Sequence, residues 1–267
     1  MFFSKSFSGK QIMTASRPWL IAGCIILSLT SAVQAQSRRV KYVPPSNAGA
    51  PKVSVPGITR SACDGELSCL IALVPDLKVD QAPVPQTISK RPTIYFLTPK
   101  IDGRIYFRLD EDLGTESQRK RVYRSSFKIK NDAGIIAYKL PDDAPALELN
   151  KKYSWKLDID DLSNTRSVYG SIRRVELDAA SEKKLAAATD PLERAAILAA
   201  QGVWYEALQI LAEAQITVPK NMEIIEQWTS LLKSANLDRV SPYSLVIQKP
   251  SVTQAPKPSE PKISNPY

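Results

Sequence analysis

Histidine is absent from the 267-residue chain, and cysteine occurs three times. The missing imidazole removes Ser-His-Asp and Cys-His nucleophile pairs, imidazole general bases and every His-ligated metal site. Glycine is also sparse: ten residues spread from Gly9 to Gly202 contain no G-x-G-x-x-G and no G-x-x-x-x-G-K-[ST] phosphate cradle. No catalytic, cofactor-binding or metal-binding residue is assigned from the sequence, and the chain is not expected to be an enzyme.

The first 35 residues carry the features of an export signal. Lys5, Lys10 and Arg17 lie in an acid-free start, an apolar run of eleven residues follows from Trp19 to Leu29, and Ser31-Ala32-Val33-Gln34-Ala35 supplies small residues for cleavage between Ala35 and Gln36. That run falls short of the roughly 20 residues of a spanning helix, so no transmembrane helix is expected after signal removal. Ile21-Ala22-Gly23-Cys24 resembles a lipid-attachment pattern, but the apolar run continues past Cys24, which favours Cys24 as one more apolar residue.

The protein is therefore expected to be exported, to the periplasm or beyond. The balance of 36 basic and 27 acidic side chains gives +9, and removing the signal lowers it to about +6, which argues against a nucleic-acid partner. Cys63 and Cys69 enclose five residues with a glycine among them. In an oxidising compartment a small-loop disulfide is the preferred reading, with two buried free thiols as the alternative.

Residues 36–60 read as a Pro-rich, extended linker of weak cohesion, and 241–267 as a disordered Pro-rich tail. Between them the periodicity changes once. Residues 61–177 are read as one β domain, in which the stretch from about Thr93 to Leu177 shows period-2 patterns, most clearly where Tyr153, Trp155, Leu157 and Ile159 interleave with Ser154, Lys156 and Asp158. Strands are expected at 93–97, 104–109, 121–129, 134–140, 153–159 and 168–175, which together suggest a β-sandwich. Residues 178–240 are helical in pattern: Asp190-Pro191-Leu192-Glu193 starts one helix, Val203 to Ile216 forms a second, and a third from Asn221 carries Ile224, Trp228 and Leu231 on one stripe. The fold class is α+β, an antiparallel β-sandwich-like domain followed by a short helical segment.

Gly202, Trp204, Glu206, Ala207, Leu208, Leu211, Ala214, Pro219 and Asn221 have the spacing of one tetratricopeptide-repeat helix, and the helical segment resembles about one and a half such repeats. That is too few for a free-standing solenoid, so these helices are expected to pack on the β block or on a partner. Arg60-Ser61-Ala62-Cys63, Ala72-Leu73-Val74-Pro75, Arg91-Pro92-Thr93-Ile94-Tyr95-Phe96, Tyr153-Ser154-Trp155 and Gly202-Val203-Trp204-Tyr205-Glu206-Ala207-Leu208 together resemble the cyanobacterial domain of unknown function 928. The resemblance implies an exported protein with a β-rich region followed by helices.

Three acidic clusters, Asp110-Glu111-Asp112, Asp142-Asp143 and Asp158 to Asp161, hold the carboxylates that a His-independent glycoside hydrolase would use. They sit at turns and strand ends, where Asp is favoured for backbone reasons. Asp158, Asp160, Asp161 and Asn164 offer oxygen ligands for Ca²⁺, but Tyr169 stands where a helix-loop-helix calcium loop needs Glu. Arg119, Lys120 and Arg121 form the strongest basic run and are expected at a solvated hairpin, with an anionic ligand as the functional reading. The tryptophans Trp155, Trp204 and Trp228 are expected in the core, and Tyr205 at a surface or groove contact. The leading expectation is a cell-envelope scaffolding module with an envelope protein partner. The alternative is an envelope polysaccharide-binding protein or glycoside hydrolase.

Overall fold

Alternation gives each long strand one face to bury, and that is how the central residues fold. In a computed structural model the described residues are 39–45, 61–62, 70–77, 83–114, 119–161 and 165–246, all within one compact unit. Six longer strands stand where period 2 places them: β4 (Thr93–Thr98), β5 (Ile101–Asp112), β6 (Arg119–Asn131), β7 (Gly134–Lys139), β8 (Lys152–Asp161) and β9 (Thr165–Arg174). Four more, β1 (Ser61–Ala62), β2 (Leu70–Ala72), β3 (Gln86–Thr87) and β10 (Leu245–Val246), are too short to show a period.

The strands form two sheets, ordered β1-β2-β4-β7-β10 and β3-β9-β8-β5-β6. Pairing is antiparallel except at two edges, where β3 runs parallel to β9 and β10 parallel to β7. The sheets meet face to face. Tyr138 of β7 stacks on Phe127 of β6 with ring centroids 5.3 Å apart and lies 4.6 Å from Phe107 of β5. Its hydroxyl is 2.7 Å from Ser125 Oγ, so the buried phenol keeps a hydrogen bond across the interface.

Four helices follow: α1 (Ala179–Ala187), α2 (Pro191–Ala200), α3 (Trp204–Thr217) and α4 (Met222–Ser234). Asp178, Asp190 and Asn221 cap α1, α2 and α4 by accepting backbone N–H bonds in the first turn. Gly202, with φ +76°, supplies the left-handed residue that ends α2. The chain then turns straight into α3. None of these helices is long and apolar enough to cross a membrane.

The helices pack on the sheets and share their core. Trp155, Trp204 and Trp228 are all buried, and one hydrophobic cluster contains strand and helix residues together. The indole of Trp204 donates to the Leu73 carbonyl at 2.9 Å, at the end of β2. On the other sheet, Gln86 of β3 donates its N–H to the Gly202 carbonyl, so β3 lies between β9 and the start of α3.

Both flanking segments depart from expectation where they are described. Residues 39–45, read as weakly cohesive linker, form an extended strap on the helices: Val40 and Tyr42 are buried while Arg39 and Lys41 are exposed. Two apolar residues at period 2 suffice because the groove supplies the other wall. The start of the C-terminal tail likewise orders as β10, since Leu245 and Val246 pair with Ile135 and Ile136 and cover the edge of β7.

Candidate ligand-binding face

The outer face of the β9-β8-β5-β6 sheet is built by the polar half of the alternation. In register across four strands lie Arg124, Arg108, Lys156 and Tyr169. Lys156 Nζ stands 5.4 Å from the Tyr169 ring centroid, a cation-π contact. The next row places Tyr106 between Ser126 and Asp158, and Tyr106 is 44 % exposed. Beyond it Arg104 stands between Lys128 and Asp160, and its guanidinium donates to Ser126 Oγ at 3.2 Å. Two rows bearing cations thus flank an exposed tyrosine on one face of the sheet.

The acidic and basic runs found separately in the sequence are partners. The β5–β6 register sets Asp110 opposite Arg121, Glu111 opposite Lys120 and Asp112 opposite Arg119, after a shift at Leu109/Asp110. Asp110 is 5 % exposed and is held by Arg121 and by Arg108 at 2.9 Å. Glu111 pairs with Lys151 at 2.8 Å and Asp112 with Lys152 at 2.9 Å. Glu111 and Glu148 together hold the Lys151 ammonium above its ordinary value. Of the Arg119-Lys120-Arg121 run, Arg121 is therefore tied to Asp110, while Lys120 stays exposed beside the acidic strand.

Two of the remaining acids are engaged as well. Asp143 accepts from the Tyr123 hydroxyl at 3.3 Å, and Asp158 pairs with Lys156 at 2.6 Å and accepts from Ser167 Oγ. The oxygen set considered for Ca²⁺ is spread along an outward strand face at Asp158 and Asp160. Among the described residues there is no group of three or more Cys, Asp or Glu placed to hold a metal ion. Cys63, Cys69, Ala35 and Gln36 lie outside the described residues.

Tyr205 is not a surface contact. It is 2 % exposed, accepts from the Trp155 indole at 3.1 Å and donates to the Ser171 carbonyl at 2.8 Å. Burial pushes its phenol well above the ordinary range. The correction has a simple cause: α3 is covered on adjacent sides by the two sheets, so consecutive aromatics Trp204 and Tyr205 are both enclosed.

Glu206, which in the sequence is only a position of the repeat spacing, is half-buried and makes a tertiary contact. Glu206 accepts from Thr87 Oγ1, from Ile88 N–H at 3.2 Å and from Ser89 N–H at 3.1 Å, and so clamps the turn after β3 onto α3. Burial raises its carboxyl above the ordinary value, against the downward pull of these donors. Its position inside the helical run gave no signal, because Glu in the first turn of a helix is common for electrostatic reasons alone.

A family profile described as Domain of Unknown Function (DUF928) matches residues 55–245. The chain belongs to that family. The match covers the candidate face and all four helices and leaves the strap at 39–45 outside it. No curated protein matches the chain. Among solved structures the chain is similar to Astrotactin-2, described as a conserved vertebrate-specific and perforin-like membrane protein involved in neuronal development. That likeness has 10 % identity and a TM-score of 0.24, over 60 % of this chain and 36 % of the other. The chain spans about a third of that structure's length, and a likeness of this size carries no argument about fold or function.

Proposed function

We propose that the protein is an exported, non-catalytic binding module of the cell envelope, and that its β9-β8-β5-β6 face takes an extended anionic polysaccharide. The observation that carries this reading is the transverse row Arg124, Arg108, Lys156 and Tyr169. Like charges opposite one another on neighbouring strands destabilise a sheet, and Arg108 has a cation on both sides. Asp110 and Asp158 offset part of that repulsion, while Arg124 stays exposed at the sheet edge. A polyanion laid across the strands would offset the rest.

Tyr106 and Tyr169 add amphipathic rings of the kind that pack against a sugar face. An open sheet face suits a polymer better than a small molecule, which favours a concave site. Envelope location rests on the export signal read from residues 1–35.

The test uses the full mature-length chain with polygalacturonate and neutral dextran as probes. Retention on polygalacturonate at low ionic strength, release at high salt, and no retention on dextran are expected. Tyr106→Ala is expected to weaken retention several-fold while leaving the melting temperature within a few degrees. Equal retention on both polymers, or none on the anionic one, contradicts the proposal.

A further inference from the structure

A second surface of the protein is already occupied by a peptide, and the peptide is its own. The strap at 39–45 lies in the groove between α2, α3 and α4. Val40 N–H donates to Gln227 Oε1 at 2.7 Å, Tyr42 N–H to Ser234 Oγ at 2.8 Å, and Val43 N–H to the Ala199 carbonyl at 3.0 Å. Gln227 and Ser234 are seven positions apart on α4 and so share one face. They read alternate backbone amides of an extended chain, much as a sheet edge would.

Side chains supply the selectivity. Val40 is fully buried, and the Tyr42 ring meets Trp204 edge-on at 5.3 Å. The hydroxyl of Tyr42 is buried without a hydrogen-bond partner among the described residues, so the groove recognises the ring and not the phenol. At the C-terminal end of the strap, a Cβ on Gly202 would come within 2.9 Å of Pro45 Cδ. Only a glycine lets the strap lie this close.

We propose that this groove is a peptide-recognition site, and that the strap is its built-in occupant, competing with an extended partner segment of the pattern aliphatic-x-aromatic. The partner class follows from the strap itself, which shows what the groove accepts: one aliphatic residue, an aromatic two positions on, and the backbone amides of these two residues and of the next. The attachment is small. Ordering seven residues costs chain entropy comparable to the gain from burying two side chains and three amides, so the strap is a low-stability unit suited to exchange. This inference is independent of the polysaccharide reading, since the groove lies on the helices and the cationic face on the sheet.

The probe is a labelled synthetic peptide of residues 37–46 carrying Tyr42→Phe, titrated by fluorescence anisotropy against the full chain and against a full chain carrying Val40→Asp with Tyr42→Ala. Binding at least tenfold tighter to the double variant than to the unaltered chain is expected, with loss of binding when the peptide itself carries Val40→Asp. Equal affinity for both chains, or no binding to the folded variant, overturns the proposal. Should the double variant not fold, hydrogen exchange on the unaltered chain decides the matter. Amides of Val40, Tyr42 and Val43 exchanging at least a hundredfold faster than those in the middle of α4 support a detachable strap. Equal protection means the strap never leaves, and overturns it.

Discussion

The Trp155 indole donates to the Tyr205 hydroxyl at 3.1 Å, and that hydroxyl donates onward to the Ser171 carbonyl, joining β8, α3 and β9 through one buried phenol. Tyr205→Phe keeps the ring and leaves an indole N–H and a carbonyl without their partner. The expected cost is about 1–3 kcal/mol, the penalty for stranding buried polar groups, read as a lower urea midpoint at unchanged m-value. A midpoint equal to that of the unaltered protein contradicts the role given to this relay.

Gly170 faces Trp155 across the β8–β9 pair, and a Cβ there would sit 2.3 Å from the indole ring. The ring is locked by Tyr205 and by core packing, so it cannot swing aside cheaply. Gly170→Ala is expected to cost at least about 1–3 kcal/mol, the range for overpacking a core. Thermal unfolding followed by tryptophan fluorescence checks this. A melting temperature equal to or above that of the unaltered protein would sink it.

Glu206 gives stability a pH dependence of known sign. Its folded carboxyl titrates above the ordinary value of 4.5 because burial disfavours the charge. The folded state therefore holds this proton to higher pH than the unfolded state, and the stability linked to it falls as pH rises upward from 4.5 through the folded value. Glu206→Gln removes that slope. Melting temperatures measured from pH 4.5 to 8 should decline more steeply for the unaltered chain than for the variant; parallel curves contradict the assignment.

Tyr42 separates ring from hydroxyl. Because its phenol is buried without a partner, and burial holds it far above the ordinary range, Tyr42→Phe is expected to leave stability unchanged or slightly raised. Tyr42→Ala removes the contact with Trp204 and is expected to lower stability by more than Tyr42→Phe, with the loss capped by the strap's own small docking free energy. Differential scanning calorimetry of the two variants distinguishes them. A larger loss for Phe than for Ala would reverse the reading.

Much of this architecture was legible in the sequence, and the failures share a cause. The six longer strands and the helices at Pro191, Trp204 and Met222 could be read because each holds enough residues to display its period or its cap. The strap and β10 could not, since each is too short to repeat its spacing. The acidic run at Asp110 and the basic run at Arg119 were both visible, but that they face each other depends on the hairpin register and its shift at Leu109. The candidate face depends still more on register: Arg108, Arg124 and Lys156 are far apart in sequence and become one row only when β6, β5 and β8 align. Tyr205 lies one step from Trp204 on α3, a spacing that suggests a surface contact, and the two sheets enclose both rings.

Arg124→Glu tests the binding face most directly, because folding and binding should respond with opposite signs. The substitution sets a carboxylate opposite Arg108 and is expected to raise stability by roughly 0.2–1 kcal/mol, the scale of a cross-strand charge pair. On the same protein, affinity for polygalacturonate at low ionic strength should fall at least tenfold. A variant that is as stable or more stable and binds the polymer as tightly as the unaltered chain would contradict the account.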